Sequence, residues 1–238
     1  MVKRNQWDKG SHYSKLNQYF KNDAQKKDGY YRKDDREFIL NTIRKRLMWN
    51  KYRTALDHII SETDKKELYG IDIGCGMGHF ILEMIQKDNF RKIIGMDVIS
   101  ETFTLALQRR DLFNDVEFIK GSLLDIPLQK DTMDITFCLN LLHHIHPDDL
   151  LQSLTELARI SKGYIVIEIR NKDHLFSMLY NSNILSGSYK TLPINCTSRK
   201  DIQKIMIKNG YNEIFIKGNK RSLALSRRLL FIYKKNEE

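Results

Sequence analysis

The chain has 238 residues, 41% hydrophobic and 29% charged, which suits one continuous globular core better than two very small ones. Its net charge of +10 is unevenly placed: residues 1–55 and 161–238 each carry a net +9, while residues 56–160 carry a net −8. With no run of 18 apolar residues, and with no apolar core in Met1–Gln6, neither a membrane-spanning helix nor a secretory leader is expected.

From about Asp35, the residues Phe38, Ile39, Ile43, Leu47, Tyr52, Leu56, Ile59 and Ile60 recur mostly at spacings of three to five. That period predicts one amphipathic helix or two abutting ones, within a helical N-terminal cap over residues 1–62. Short apolar runs then alternate with helical segments. Leu68–Ile73 reads as a strand and Phe80, Ile81, Met84 and Ile85 as a helix face. Lys92–Asp97 is a second strand, followed by a helix through Phe103, Leu105, Ala106 and Leu107. Val116–Ile119 and Asp134–Leu139 are the third and fourth strands, and a helix from Asp148 leads to a fifth at Tyr164–Ile169. A helix over Asp201–Lys208 precedes two last strands, Glu213–Ile216 and Leu229–Tyr233.

This alternation predicts an α/β fold, a doubly wound, Rossmann-like, seven-stranded and mainly parallel sheet. The dozen residues between Ile216 and Leu229 show no helical period. They are too few for a helical crossover, so the last strand is expected to run antiparallel. The chain divides into a cap (1–62), a ligand-binding core (63–170), a lid-like insertion (171–196) and a C-terminal helix with a strand hairpin (197–238). Cys75, Cys138 and Cys196 show neither CxxC nor CxxH spacing, which argues against a disulfide framework and a zinc site. A reducing, cytoplasmic setting and no metal are expected.

Gly74, Gly76 and Gly78 follow the first strand directly and precede a helix. Glycine there allows a tight turn and lets backbone amides approach a ligand closely. A dinucleotide fingerprint would place its third glycine at position 79, which is His79, and no Gly-Lys-Ser/Thr follows to make a phosphate loop. Asp72, two positions before the first glycine, can engage a ligand ammonium. Asp97 ends the second strand 19 positions after Gly78, where a carboxylate can accept hydrogen bonds from two ribose hydroxyls. A helix N-cap or turn role is the plainer alternative for Asp97. In an open α/β sheet, Asp72, Asp97, Ser122 and Asn140 all converge on the crevice beyond the strand ends.

Gly70–Phe80 resembles the first motif of the class I S-adenosylmethionine (SAM)-dependent methyltransferases. Ile94–Val98 resembles their second motif, Phe118–Leu128 the third, and Asp134–Phe137 through Leu142–Ile145 the fourth. The resemblance implies SAM as cofactor, with Asp72 and the loop Gly74, Cys75, Gly76 and Gly78 around its methionine part. It implies Asp97 on the ribose, Val98 against the adenine, Ser122 and the backbone of Leu123 at the adenine edge, and Asn140 lining the donor–acceptor channel. Many members carry Asp where this chain has Ser122, which accepts a hydrogen bond without the charge. In the ubiquinone-type O-methylating members an arginine one helix before the first motif pairs with the SAM carboxylate. Arg53 stands at a comparable distance, with an exposed helix arginine as the alternative.

An imidazole ordinarily titrates near neutral pH, so His143 and His144 are candidates for accepting a proton, with His143 the expected catalytic residue. As neighbours at the start of a predicted helix they are expected to point apart. No Asn/Asp-Pro-Pro-Tyr/Phe motif or catalytic cysteine pair is present. The insertion, with Phe176, Met178, Leu179, Tyr180, Ile184 and Leu185, is expected to enclose the acceptor. Tyr13, Tyr19, Phe20, Tyr30 and Tyr31 of the N-terminal segment are expected to join it there, with ordinary packing under the cap as the alternative. The expected activity is O-, N- or C-methylation of a small molecule, apolar or anionic, including a quinone reached from a peripheral membrane contact. The alternatives are tRNA or rRNA methylation through the basic flanks, and a non-catalytic scaffold.

Overall fold

The computed structural model describes residues 8–25, 43–107, 115–174, 194–218 and 222–237. In chain order the main elements are α1 (Lys9–Gln25), α2 (Ile43–Glu62), β1 (Leu68–Ile73), α3 (His79–Ile85), β2 (Phe90–Asp97) and α4 (Ser100–Leu107). They continue with β3 (Val116–Lys120), β4 (Met133–Cys138), α5 (Leu150–Ile160), β5 (Ser161–Arg170), α6 (Arg199–Lys208), β6 (Tyr211–Gly218) and β7 (Arg228–Lys235). The seven strands form one sheet in the order β3-β2-β1-β4-β5-β7-β6. Strands β1 to β5 pair in parallel, and β7 runs antiparallel to both β5 and β6. The predicted mixed sheet with a reversed final strand is the one observed.

The central strands β1, β4 and β5 are buried along most of their lengths, which is why they read as apolar runs instead of alternating ones. One apolar layer packs Tyr52, Leu56 and Ile59 of α2 and Phe80, Ile81 and Met84 of α3 against Phe137, Val166 and Ile232. The other packs Leu154 and Leu157 of α5 and Ile202 and Met206 of α6 against Ile71, Ile165 and Phe231. Ser198 caps α6 by accepting a hydrogen bond from the Asp201 amide. Tyr211, at the start of β6, donates to the Ser161 carbonyl at 2.6 Å and so ties the two ends of this layer together.

Element boundaries shift where the chain lacks a breaker. α5 passes into β5 without an intervening turn, so β5 starts at Ser161, three residues before the apolar run at Tyr164. The helix predicted from Asp148 is a 3-10 turn at Pro147–Asp149 leading into α5 at Leu150. The first part of the helix predicted from Asp35 lies outside the described residues, as do Tyr30 and Tyr31. Among the described residues no helix is long and apolar enough to cross a membrane.

Candidate functional site

Strand order reverses at β1, whose partners β2 and β4 lead away in opposite directions. The diverging connections leave a crevice at the carboxyl ends of the strands. The loop from β1 to α3 lines it. Gly74, Gly76 and Gly78 have φ of 76°, 53° and 77°, the left-handed region that glycine enters without strain. At Gly74 a β-carbon would also lie 2.9 Å from Leu141 Cδ2. The amides of Gly74 and Cys75 both donate to the Met96 carbonyl, at 2.7 and 3.1 Å, so β2 fixes the loop. Cys75 is buried, and its thiol stands well above its usual pKa through burial and the carboxylates of Asp72 and Asp97.

Two carboxyl groups meet under this loop. Asp72 is 4% exposed, and its carboxylate has no hydrogen bond among the described residues. Burial, with a smaller contribution from Asp97, raises its pKa to about 7. Asp97 accepts from the Gly76 and Ile99 amides, both at 2.9 Å. Burial raises its pKa, and these amide hydrogen bonds oppose the rise. Asp97 therefore takes the turn role and also braces the glycine loop. Val98 beside it is 45% exposed, a large apolar side chain left open at the crevice. The Ser122 hydroxyl accepts from the Leu124 amide at 3.1 Å, and Leu123 is buried.

On the other side of β1, the chain leaving β4 turns at Asn140, which has φ of 55°. Its side-chain oxygen accepts from Arg228 at 2.6 Å. Arg228 also donates to the buried Glu168 at 3.1 Å, which takes Lys51 at 2.5 Å and Tyr52 at 2.8 Å. Burial would raise the Glu168 pKa, but Lys51 and Arg228 outweigh it and hold the group below its ordinary value. Burial pulls Lys51 down, partly offset by Glu168. Sequence reasoning missed this network. Its one legible signal was an acid, Glu168, inside the apolar run Tyr164–Ile169.

His143 and His144 sit on a 3-10 turn, not at the start of a long helix, and their ring centroids are 4.0 Å apart. The expectation that they diverge is thus corrected: the tight turn brings the two rings together. Burial holds the His143 imidazole well below its usual pKa, helped by His144, Arg170 and Arg228. It is neutral at the working pH and a weak base. α1 covers this region. His12 contacts the His144 carbonyl at 2.7 Å, Tyr13 donates to Asp149 at 2.6 Å, Phe20 packs edge-on to His144, and Lys21 pairs with Glu101 of α4. The helix therefore spans from the exit of β4 to the start of α4, along the edge where the crevice opens.

With that geometry in place, comparison with known proteins is informative. A model of the methyltransferase-domain family matches residues 64–214, well over half of the chain. The chain belongs to that family. Its fold is that of the class I SAM-dependent methyltransferases. The magnesium protoporphyrin IX methyltransferase of Synechocystis PCC 6803, solved with bound S-adenosylhomocysteine (SAH), aligns with a TM-score of 0.68 at 16% identity, over 94% of this chain and 100% of that one. The 1,6-didemethyltoxoflavin-N1-methyltransferase of Burkholderia thailandensis, solved with bound 1,6-didemethyltoxoflavin and SAH, aligns with a TM-score of 0.68 at 13% identity, over 99% of this chain and 94% of that one. An uncharacterized protein of Methanocaldococcus jannaschii is 30% identical over 114 residues, 47% of this chain and 45% of its own length. The chain thus spans about half of that curated relative.

The residues expected to hold the donor, Asp72, Gly74, Cys75, Gly76, Gly78, Asp97 and Val98, lie in and beside the β1–α3 loop. Asn140 is brought to the same edge, tied to Arg228. Arg53 is placed differently. Its Nε and Nη2 both donate to Glu83 of α3 at 2.6 Å, and the side chain is half exposed. Its guanidinium is engaged by that carboxylate, the exposed-helix alternative. Of the insertion, residues 175–193 lie outside the described residues, including all six apolar side chains expected to enclose the acceptor.

Proposed function

We propose that this protein transfers the methyl group of SAM to a small-molecule acceptor. The observation that carries the reading is Asp72, a buried carboxyl with no hydrogen bond among the described residues and a pKa of about 7, beside Asp97 and under the glycine loop. A cationic ligand is the natural complement of that pair, and SAM brings an ammonium and a sulfonium. Asp72 would hold the ammonium, Asp97 the ribose hydroxyls, and Val98 the adenine face, with Ser122 and Leu123 at its edge.

When bound, SAM supplies an electrophilic methyl: the acceptor's lone pair forms the new bond and the sulfur leaves with its electron pair. The chain's own contribution is orientation and exclusion of water. α1, which reaches from the exit of β4 to α4, is proposed to cover the acceptor side of the crevice. His143, whose ring lies against His144 and whose pKa burial depresses, would orient the acceptor and not remove its proton.

Magnesium protoporphyrin IX and didemethyltoxoflavin, named for two proteins of the same fold, are small molecules. The basic flanks favour a nucleic-acid acceptor instead. However, Lys9, Lys51, Arg53, Arg199, Arg228 and Lys235 all pair with carboxylates of the protein. These are six of the thirty Lys and Arg of the flanks, so the preference for a small acceptor rests on the small molecules named for those two proteins. The buried thiols of Cys75 and Cys138 suit work in the reducing cytoplasm. Calorimetric titration with SAH tests the donor assignment: saturable binding is expected, with Asp97→Ala weakening it at least about ten-fold. Equal affinity in the variant removes the site. Steeply salt-dependent retention on RNA would turn the acceptor reading toward nucleic acid.

A further inference from the structure

The connection from β3 to β4, residues 121–132, starts with Ser122 and Leu123, the pair proposed at the adenine edge, and then runs along α5. It belongs to no helix and adds no strand to the sheet, so its backbone groups need partners from elsewhere. One face of α5 supplies them. Gln152, Glu156 and Arg159 follow at spacings of four and three, which aligns their side chains along the helix. Gln152 donates to the Leu124 carbonyl at 2.7 Å, and Glu156 accepts from the Ile126 amide at 2.9 Å. Arg159 donates to the carbonyls of Ile126 and Leu128 at 2.8 and 2.7 Å. Its Nε and Nη2 also donate to Glu156, at 2.7 and 2.8 Å, so each of these two side chains holds the other in place.

All four contacts with the loop go to main-chain atoms. They fix its path whatever side chains it carries. The first contact reaches Ser122 through a single residue: Gln152 holds the Leu124 carbonyl, and the Leu124 amide donates to the Ser122 hydroxyl at 3.1 Å. The Asp125 amide closes the same turn on the Ser122 carbonyl at 3.1 Å, with buried Leu123 between. Ser122 offers a hydrogen bond without charge, and such a bond has about half the strength of a charge-assisted one. It therefore depends more on a loop already held in position.

We propose that Gln152, Glu156 and Arg159 are positioning residues that set the adenine selectivity of the donor pocket, acting through Leu124 and Ser122. The inference rests on the donor reading above, which puts Ser122 and Leu123 against the adenine. The three side chains act on the ligand only through the loop, so they set how well its edge is read, not whether the methionine part is held.

The test compares, by calorimetry on the full chain, SAH with the analogue in which a carbonyl oxygen replaces the adenine amino group and reverses donor and acceptor at that edge. The parent should prefer SAH about ten-fold. Gln152→Glu keeps the side-chain shape but loses the donor, at an exposed position where the fold tolerates the change. It should weaken SAH binding about five-fold and the analogue at most about two-fold, which lowers the preference to about two- to four-fold. Glu156→Ala should lower it similarly, and Glu156→Gln, which can still accept from the Ile126 amide, should restore part of it. Thr155→Ala, at an exposed position of the same helix, should leave the preference intact. Amide exchange at Leu124 in the ligand-free protein reads the anchoring alone, and Gln152→Glu should speed it about ten-fold. Unchanged exchange, equal losses for the two ligands, or a parent without preference overturns the proposal. A parent that binds neither ligand removes the donor reading and the selectivity built on it, whereas faster Leu124 exchange would still show that α5 holds the loop.

Discussion

Replacing Asp72 with asparagine should stabilise the ligand-free protein at pH 8 and weaken its hold on SAH, two opposite effects of one buried group. Burial, and then Asp97, raise the Asp72 carboxyl from 3.8 to about 7. The folded chain holds this proton more tightly than the unfolded chain. Its contribution to stability is therefore complete below pH about 3.8 and is lost as the pH rises through about 7. At about 1.36 kcal/mol per tenfold change in proton affinity, keeping the ionised group buried costs about 4 kcal/mol above pH 7. A partnerless amide retains about 1–3 kcal/mol of desolvation cost, leaving a net gain of about 2 kcal/mol, or a Tm rise of about 4–8 °C for a chain of this size. Calorimetric melting should show that rise at pH 8 and little of it at pH 5. The amide cannot form an ion pair with the ligand ammonium, so SAH affinity should fall about ten- to a hundred-fold. A variant that melts lower at pH 8, or that binds SAH as tightly as the parent, refutes the assignment of Asp72.

Three further outcomes follow from other parts of the structure. Gly74→Ala places a β-carbon at φ 76° and 2.9 Å from Leu141. It should cost about 1–2 kcal/mol in urea unfolding and reduce SAH binding with it. Glu168→Ala strands the buried Lys51 without its carboxylate and should cost about 3–5 kcal/mol, whereas Lys51→Met combined with Glu168→Leu should recover part of that loss, because Arg228 and Tyr52 still lose the carboxylate. Because the His143 pKa is depressed in the folded state, stability should be full above pH about 6.5 and decline as the pH falls further. His143→Gln should flatten that decline, and an unchanged slope in denaturant midpoints would show that His143 does not contribute.

Much of the fold was legible because the central strands are buried on both faces, so Leu68–Ile73 and Asp134–Leu139 stand out as apolar blocks. The reversal of β7 was legible because the connection before it is too short for a crossover. The residues proposed to hold the donor are local in sequence, since the glycine loop and the two acids around it lie within 26 residues, Asp72 to Asp97. The Glu168 network was not legible. Glu168 pairs with Lys51 and Tyr52, 117 and 116 residues away, and with Arg228, 60 residues away. Local periodicity carries no trace of such partners. The same holds for Arg53, whose distance from the first motif suggested a ligand role while its i-to-Glu83 pairing depends on how α2 packs against α3. The two histidines were expected at the start of a helix, but the chain turns extended at Ile145 directly after them, leaving Leu142–His144 as a 3-10 turn of its own.

The central claim, methyl transfer from SAM to a small molecule, is tested most directly by incubating the protein with methyl-labelled SAM and a cell extract, then separating small-molecule, lipid and RNA fractions. Label should enter the small-molecule fraction with the parent protein and fall to background with Asp97→Ala. Label confined to RNA, or no transfer by a protein that binds SAM, would contradict it.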